Sequence, residues 1–224
     1  LLSLSDASNI TLYDKYTKIL EEIISPNQSD IEKEIAIHDY LVDNINYVDT
    51  GDSSYNAYSA LINGIAVCSG YTECFKTLLD MLGIENATIS GEAGGQQHIW
   101  NVVNLDNHWY HVDVTWDDPV GSSSDYIDHS YFNISADDMA LDHTWDRSRY
   151  SAYKKCGAKY SYCRYKKLPL ISNVNQLNKL IYSTVKNKTA HIEFTTTYNA
   201  DLKEAISRTG QQLSYSYKNI DRVN

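Results

Sequence analysis

Apolar residues in the first third of the chain recur at helical spacing. Leu12, Tyr16, Ile19 and Ile23 lie three or four positions apart, which predicts a helix over residues 10–24. The same pattern predicts three more helical segments. The first begins at Ser29 with a Ser29–Glu32 capping box, and its buried stripe consists of Ile31, Ile35, Leu41 and Ile45. The second is a single turn at Tyr58–Ile62, and the third is a helix from Cys68 to Leu82 that ends at Gly83.

Beyond Gly83 the apolar residues alternate with polar ones, as they do in strands. The predicted strands are Glu85–Ser90, His98–Val103 and His108–Val114. The last two form a hairpin with its tip within residues 104–107, and the glycine-rich residues 91–97 are expected to be a flexible connection that flanks a cleft. Helices followed by an antiparallel sheet define an α+β fold.

Charge is distributed unevenly along the chain. Residues 1–145 carry four basic and 24 acidic side chains, whereas residues 146–224 carry 15 basic and five acidic ones. This change of sign indicates two units with different surfaces. The acidic part would repel phosphates, which argues against nucleic acid as a partner.

We therefore predict a larger domain over residues 1–168 and a small subdomain over residues 169–224. In the larger domain, residues 1–48 supply the N-terminal helices and residues 55–120 carry the main motifs. The predicted elements of the subdomain are a helix at 173–185, a strand at 191–197, a helix at 201–208 and a strand at 212–217, an α-β-α-β order.

Several classes of protein are excluded or disfavoured by composition. No run of about 18 apolar residues occurs, so we expect no membrane span, and the start of the sequence has no signal-peptide pattern. The four cysteines lack paired zinc spacing and are too few for a disulfide framework, although Cys156 and Cys163 could be bridged in an exported protein. We expect neither a metal nor a cofactor, and we interpret the acidic residues Asp117, Asp118, Asp125 and Asp128 as a solvated loop rather than a calcium site.

Cys68 stands directly after a turn, at the start of a predicted helix. Unpaired backbone N–H groups and the helix dipole favour anionic groups at this position, a thiolate included. Cys74 lies deeper in the same helix and is interpreted as a core residue. Cys68 is therefore a candidate nucleophile, although a single cysteine is more often an inert core residue.

A nucleophilic thiol needs a base, and the base needs an orienting acceptor. In the predicted hairpin, a four-residue tip at 104–107 places His98 directly across from Asp113. A two-residue tip at Asp106–Asn107 instead places the two residues diagonally on the same face. Either register brings the imidazole and the carboxylate within reach of each other.

The other histidines have weaker arguments for a catalytic role. His111 shares the face of Asp113 but is interpreted as a packed or solvated residue, and His108 has the wrong parity to share that face. The remaining histidines, for which spacing provides no comparable arrangement of Cys and Asp, are His38, His129, His143 and His191.

Four stretches together resemble the core of the transglutaminase-like superfamily. They are Ala66-Val67-Cys68-Ser69-Gly70-Tyr71, Leu82-Gly83-Ile84, His98-Ile99-Trp100-Asn101-Val102 and Trp109-Tyr110-His111-Val112-Asp113-Val114-Thr115-Trp116-Asp117. The order of Cys, H-x-W-N and W-Y-x-V-D-x-T-W-D is specific when all parts occur with short gaps. Tyr131–Ser135 and Asp142-His143 extend the resemblance towards an exported bacterial branch of the superfamily.

The resemblance implies a papain-like fold, in which a helix bearing the cysteine packs on an antiparallel sheet bearing the histidine and aspartate. It also implies that Cys68 is the nucleophile, His98 the general base and acid, and Asp113 the residue that orients His98. The chemistry implied is acyl transfer through a thioester, on peptide or protein amides. Hydrolysis is slightly favoured over transfer to an amine, because nothing in the sequence would exclude water.

The resemblance and the Ser- and Tyr-rich composition lead us to expect an extracellular or cell-surface protein, with a cell-wall-associated substrate as one form of the activity. Two alternatives stay open at this point: a non-catalytic surface-binding module on the same scaffold, and acyl transfer to a small arylamine. The sequence leaves the oligomeric state undefined.

Three further features have less specific interpretations. Tyr58 is a candidate oxyanion-hole donor or a core tyrosine, and Trp116 is a candidate wall of the acyl site. Trp100 is expected in the core, with a secondary role in shielding His98. The basic and tyrosine-rich residues 147–167 are interpreted as an outward-facing strand pair that complements the acidic domain, with adhesion to an anionic polymer as the alternative.

Overall fold

The structure, a computed structural model, describes residues 4–51, 54–118, 127–187, 192–196, 202 and 204, with side chains from residue 8 onward. These residues divide into two compact units, separated in the sequence after residue 160. The boundary near residue 168 stays a prediction. Of the predicted elements of the tail, the strand at 212–217 and most of the helix at 201–208 lie outside the described residues, as does His191.

Helices supply the first part of the larger unit. They are α1 (Leu4–Ile23), α2 (Asp30–Asn44) and α3 (Cys68–Met81), and the short α4 (Ala136–Met139) follows later in the chain. The capping box at the start of α2 is confirmed, since the Ser29 backbone N–H donates to Glu32 Oε2 over 2.7 Å. A π-helical turn at Ser59–Asn63 replaces the predicted single turn and ends at Gly64, whose φ is +69°.

The predicted antiparallel sheet follows α3. A parallel pair of two-residue strands, β1 (Asn46–Tyr47) and β2 (Ile65–Ala66), precedes that helix. The main sheet consists of β3 (Asn86–Ala93), β4 (Gln96–Leu105), β5 (His108–Val112) and β6 (His143–Thr144), in the order β5-β4-β3-β6 with every neighbouring pair antiparallel. The α+β fold class and its papain-like arrangement, a cysteine-bearing helix packed on this sheet, are confirmed.

The expected flexible connection at residues 91–97 is wrong. β3 and β4 extend to Ala93 and Gln96, and only Gly94 and Gly95 form the turn between them. Both glycines have positive φ, +58° and +78°, which two-residue hairpin turns with the right-handed twist of the strands require. Glycines are common both in flexible loops and in tight hairpin turns, so the glycine-rich composition of residues 91–97 could not distinguish the two.

The helix α3 is fixed on β4 by a reciprocal pair of hydrogen bonds. Thr72 Oγ1 donates to the carbonyl of Ile99 over 3.0 Å, and Asn101 Nδ2 donates to the carbonyl of Thr72 over 3.2 Å. Tyr71 and Phe75 are fully buried on the same face of the helix. Since Thr72 lies one turn after Cys68 and Ile99 follows His98, these bonds set the position of the first turn of α3 relative to the start of β4.

The basic segment does not form the expected strand pair. Among its described residues, the larger unit has a 3₁₀ turn at Ser151–Tyr153 and the smaller unit has the short helix α5 (Tyr162–Tyr165). Closely spaced arginines, lysines and tyrosines favour local cation–π contacts instead, such as Lys159 over the ring of Tyr160 at 4.5 Å.

The smaller unit has its own core. Strand β7 (Leu170–Ile171) pairs in parallel with β8 (Thr195–Thr196), and α6 (Val174–Lys186) lies between them in the sequence. The core is formed by Ile171, Leu177 and Leu202. Within the part of the chain that the structure describes, no helix has both the length and the hydropathy needed to cross a bilayer.

Candidate active site

Cys68 is the first residue of α3 and is half-buried. Its backbone N–H has no acceptor within the helix, because the carbonyl four residues back lies outside it. Cys74, on the same helix, is fully buried, and burial raises the pKa of its thiol. The two cysteines therefore differ as predicted in exposure, and only Cys68 stands at a helix terminus.

The hairpin adopts the second of the two registers considered above. Asn101 pairs with Val112 and Leu105 with His108, so the tip has two residues, Asp106 and Asn107. Asp113 then lies diagonally across from His98, and Oδ2 of Asp113 is 2.6 Å from Nε2 of His98. The structure thus brings together the imidazole and the carboxylate that spacing had placed on one face.

Electrostatics link this pair to Cys68. Burial disfavours the charged imidazole, but the hydrogen bonds to the Asp113 carboxylate and to the Cys68 sulfur outweigh it and raise the pKa of His98 to about 10. Since Nε2 is taken by Asp113, Nδ1 is the ring nitrogen left for the thiol. All three residues singled out in the sequence therefore converge.

Asp113 is itself held by four donors. Its Oδ1 accepts from the backbone N–H groups of Thr115 and Trp116 over 3.1 and 3.2 Å, and its Oδ2 faces Nε2 of both His98 and His143. Burial of this carboxylate favours its neutral form, but the two imidazoles outweigh that effect and lower its pKa to about 2.

His143 was missed in the sequence. It is fully buried at the start of β6, where it pairs with Ala93 at the edge of the sheet, and its Nε2 lies 3.0 Å from Asp113 Oδ2. Its Nδ1 lies 2.7 Å from Oδ1 of Asp142. The sequence pointed to this residue only through the Asp142-His143 pair that is part of the resemblance. Spacing cannot predict the position of a residue when the chain rejoins the sheet after a long connection.

Aromatic rings surround the imidazole of His98. The ring of Trp100 is stacked at 6.0 Å and that of Trp116 is tilted at 6.1 Å. Trp100 is fully buried and donates from Nε1 to Nδ1 of His111, which confirms it as a core residue and His111 as a packed one. Burial lowers the pKa of His111 to about 3, so this imidazole is neutral. Trp116 lies beside the predicted acyl site, and its role there stays a prediction.

Tyr58 is 37% exposed and precedes the π-helical turn, and none of the described contacts joins it to Cys68. A different tyrosine, Tyr47 on β1, lies within electrostatic reach of the sulfur. Burial, and after it the electrostatic interaction with Cys68, raises the pKa of Tyr47. Sequence reasoning missed Tyr47 because only the parallel pairing of β1 with β2 brings it beside the start of α3.

A second cluster of imidazoles and carboxylates supports the segment after Asp113. His38 lies between two carboxylates, with Nε2 3.2 Å from Asp117 Oδ2 and Nδ1 3.0 Å from Asp39 Oδ1, and His129 Nε2 is 2.7 Å from the same Asp39 atom. Burial opposes charge on His38, but both carboxylates outweigh it and raise its pKa to about 9. Because Asp117 follows Asp113 by one turn, this cluster anchors the segment that carries Asp113 to α2.

Among the residues that the structure describes, two groups have ligand atoms close enough together to hold a cation. The ligand atoms of His98, Asp113 and His143 lie within 4.8 Å of one another, as do those of His38, Asp39 and His129. In both groups the imidazoles are already hydrogen-bonded to carboxylates.

The expectation of a solvated acidic loop is wrong for three of its four residues. Asp117 is fully buried, and Asp118 accepts a hydrogen bond from the hydroxyl of Tyr71. Asp128 is buried and accepts from Ser130. The partners of Asp117 and Asp118, His38 and Tyr71, lie far away in the sequence, so spacing could not reveal them, whereas Asp128 is bound locally. Asp125 lies outside the described residues.

All four cysteines are free thiols in the structure. Cys156 is partly buried, and its Sγ lies 3.3 Å from the carbonyl oxygen of Tyr153.

The chain is similar in part to several known proteins. The chain is 22% identical over 129 residues to the kyphoscoliosis peptidase of Mus musculus, with 50% of this chain and 20% of that protein covered. Among solved structures, a TGase matches at 16% identity with a TM-score of 0.46, over 77% of this chain and 42% of that one. A candidate cysteine protease from Cytophaga hutchinsonii matches at 17% identity with a TM-score of 0.41, over 46% of this chain and 37% of that one.

The chain thus spans about a fifth of the length of the curated relative that it matches. The family model of the transglutaminase-like superfamily matches residues 17–114, which include Cys68, His98 and Asp113. This match over residues 17–114 confirms the resemblance to the transglutaminase-like superfamily that was inferred from the motifs.

Proposed function

We propose that this protein is a thiol-dependent enzyme that acts on peptide or protein amides, with Cys68 as nucleophile, His98 as general base and acid, and Asp113 as the residue that orients His98. The observation that carries the proposal is the position of His98. One ring nitrogen lies 2.6 Å from a buried carboxylate, and the imidazole also interacts with a half-buried thiol at a helix N-terminus.

The proposed reaction has two stages. In the first, the Cys68 thiol gives its proton to Nδ1 of His98 and the sulfur attacks the amide carbonyl carbon, so that a C–S bond forms. The tetrahedral intermediate then collapses with loss of the C–N bond, and the Nδ1 proton of His98 passes to the departing amine, which leaves a thioester. In the second stage, water attacks the thioester and gives a proton to His98, the C–S bond breaks with release of the carboxylic acid, and His98 returns its proton to the Cys68 sulfur.

Two groups could stabilise the oxyanion of each tetrahedral intermediate. The Cys68 backbone N–H is oriented outward from the start of α3, and the Tyr47 hydroxyl lies within electrostatic reach of the sulfur. We propose Tyr47 for this role in place of Tyr58.

We propose hydrolysis over transamidation because Cys68 is only half-buried, so that water can reach the thioester. An exported protein with a cell-wall peptide as substrate is the form of this activity that the resemblance favours. Transfer of the acyl group to an amine, an arylamine included, uses the same first stage and differs only in the acceptor.

Intact mass spectrometry tests the proposal. The protein is incubated with a pool of protein-derived and cell-wall-derived peptides, with and without a primary amine, in water enriched in ¹⁸O. We expect an acyl adduct that is present on the wild type, absent from Cys68→Ser and unchanged in Cys74→Ser, together with ¹⁸O-labelled carboxylic products.

Each alternative has its own result. Amine-linked products in place of ¹⁸O-labelled acids would show transamidation. An unreactive Cys68, alkylated by iodoacetamide at pH 6 no faster than a free cysteine with its pKa near 8.5, would overturn the enzymatic proposal and leave the surface-binding module, which Cys68→Ala should not affect.

A further inference from the structure

His143 makes two contacts that no role assigned so far requires. Its two ring nitrogens face different carboxylates, Nε2 towards Asp113 at 3.0 Å and Nδ1 towards Asp142 at 2.7 Å. An ionised carboxylate only accepts hydrogen bonds, so the contact with Asp113 Oδ2 requires Nε2 of this ring to be the donor. Asp142 is held in turn by the hydroxyl of Tyr131, which donates to its Oδ2 over 2.7 Å.

The carboxylate of Asp113 is therefore shared. Both imidazoles address the same oxygen, Oδ2, while Oδ1 is occupied by two backbone N–H groups. The two backbone N–H groups hold Oδ1, and the second imidazole adds another donor to Oδ2, so that both oxygens of this carboxylate are held by two groups each. The orientation retained is the one that keeps Oδ2 against Nε2 of His98.

The backbone around His143 is also fixed. β6 is only two residues long, but it pairs with Glu92 and Ala93 of β3, and the His143 side chain is fully buried against Trp116 at 4.6 Å between ring centroids. The imidazole is thus attached to the same sheet that carries His98, so that the relative positions of the two rings are set by one rigid element.

We propose that His143 is a positioning residue of the active site, which clamps Asp113 Oδ2 against His98 through its Nε2–H and is held for this purpose by Asp142. The relay Asp142–His143–Asp113–His98 makes the orienting unit a group of four rather than one aspartate. This inference rests on the proposed function, because it takes the reactivity of Cys68 as a measure of the active site.

A matched pair of substitutions separates the two contacts of His143. The amide nitrogen of glutamine lies as many bonds from the backbone as Nε2 of histidine, so His143→Gln retains a donor to Asp113. The amide nitrogen of asparagine corresponds to Nδ1, so His143→Asn retains a donor to Asp142 only. Both variants are neutral amides of the same chemistry, and His108→Asn at the hairpin tip serves as a histidine control outside the site.

The readout is the second-order rate of Cys68 alkylation by iodoacetamide at pH 7, with Tm measured for each variant. We expect His143→Gln to remain within about threefold of the wild type and His143→Asn to be at least tenfold slower, at similar Tm values. In ¹⁵N-histidine NMR spectra, the low-field Nε2–H resonance of His98 is expected to persist in His143→Gln and to broaden by solvent exchange in His143→Asn.

Equal rates in the two variants, or losses that follow Tm alone, would show that His143 only packs the core and would overturn the inference. If the wild-type thiol is unreactive, the enzymatic proposal fails, but the NMR comparison still decides whether His143 positions the Asp113–His98 pair. Failure of the function and failure of this inference are therefore distinguishable.

Discussion

Asp113 lies diagonally across the hairpin from His98, one residue beyond the end of β5, with 2.6 Å between its Oδ2 and Nε2 of the histidine. Its backbone N–H donates to the carbonyl of Tyr131 over 3.1 Å, and the backbone N–H groups of Thr115 and Trp116 bind its other oxygen. The strand end, rather than the strand, thus orients the carboxylate.

Asp113→Asn is expected to lower turnover by about 10²–10⁴-fold. The uncharged amide does not stabilise an imidazolium as a carboxylate does, and His98 loses the partner that fixes its tautomer and its orientation. The measurement is kcat/KM on a peptide substrate, with iodoacetamide alkylation as a substrate-free check. Asp137→Asn, on a side chain that is 92% exposed, is the control. A loss of less than threefold would contradict the role of Asp113.

The pH dependence of acylation follows from the pKa of His98, which is raised from 6.5 to about 10. The imidazolium that protonates the leaving amine persists until the pH passes that value, so the alkaline limb of kcat/KM is expected near pH 10 in the wild type. In Asp113→Asn the limb should move towards 6.5, because the carboxylate that stabilises the cation is gone. Rates from pH 6 to 11, with folding monitored by circular dichroism, provide the measurement. A wild-type limb near pH 7 would exclude the ion pair.

Asp117→Asn is expected to destabilise the larger unit by about 3–5 kcal/mol at pH 6.5, because it leaves His38 buried without one of its carboxylates. The pKa of His38 is raised to about 9 in the folded protein, so its stabilising contribution is complete below pH 6.5 and is lost as the pH rises through 9. The difference between variant and wild type should therefore shrink between these values. Urea unfolding at pH 6.5 and 9.5 measures it, and a difference that grows with pH would contradict the assignment.

Gly91→Ala is expected to displace β6. A Cβ atom at this position would lie 2.1 Å from the carbonyl oxygen of Thr144, a backbone atom that cannot move without breaking the pairing that holds His143. We expect a loss of about 1–3 kcal/mol in the free energy of unfolding and slower alkylation of Cys68. Ser90→Ala, next to it on the same strand, is the control. If Gly91→Ala is destabilised but the rate of Cys68 alkylation is unchanged, the position of β6 does not affect the active site and the prediction is wrong.

Much of the core could be derived from the sequence. Helical spacing located the start of α2 and both ends of α3, because the capping box at Ser29 and the glycine at position 83 are local signals that depend only on neighbouring residues. Parity along the hairpin placed His98 and Asp113 on one face, because side chains alternate strictly in antiparallel strands. The position of Cys68 at a helix start marked it as a candidate nucleophile, and the resemblance implied that role.

The tertiary structure decided what local patterns leave open. It selected the two-residue tip, turned residues 91–97 into a hairpin, and buried Asp117 beside His38. It also brought His143 to the edge of the sheet. These outcomes depend on residues that are distant in the chain and that burial of the whole core, rather than local spacing, brings together. Only the folded molecule could therefore show that the Asp113 carboxylate is bound by two imidazoles.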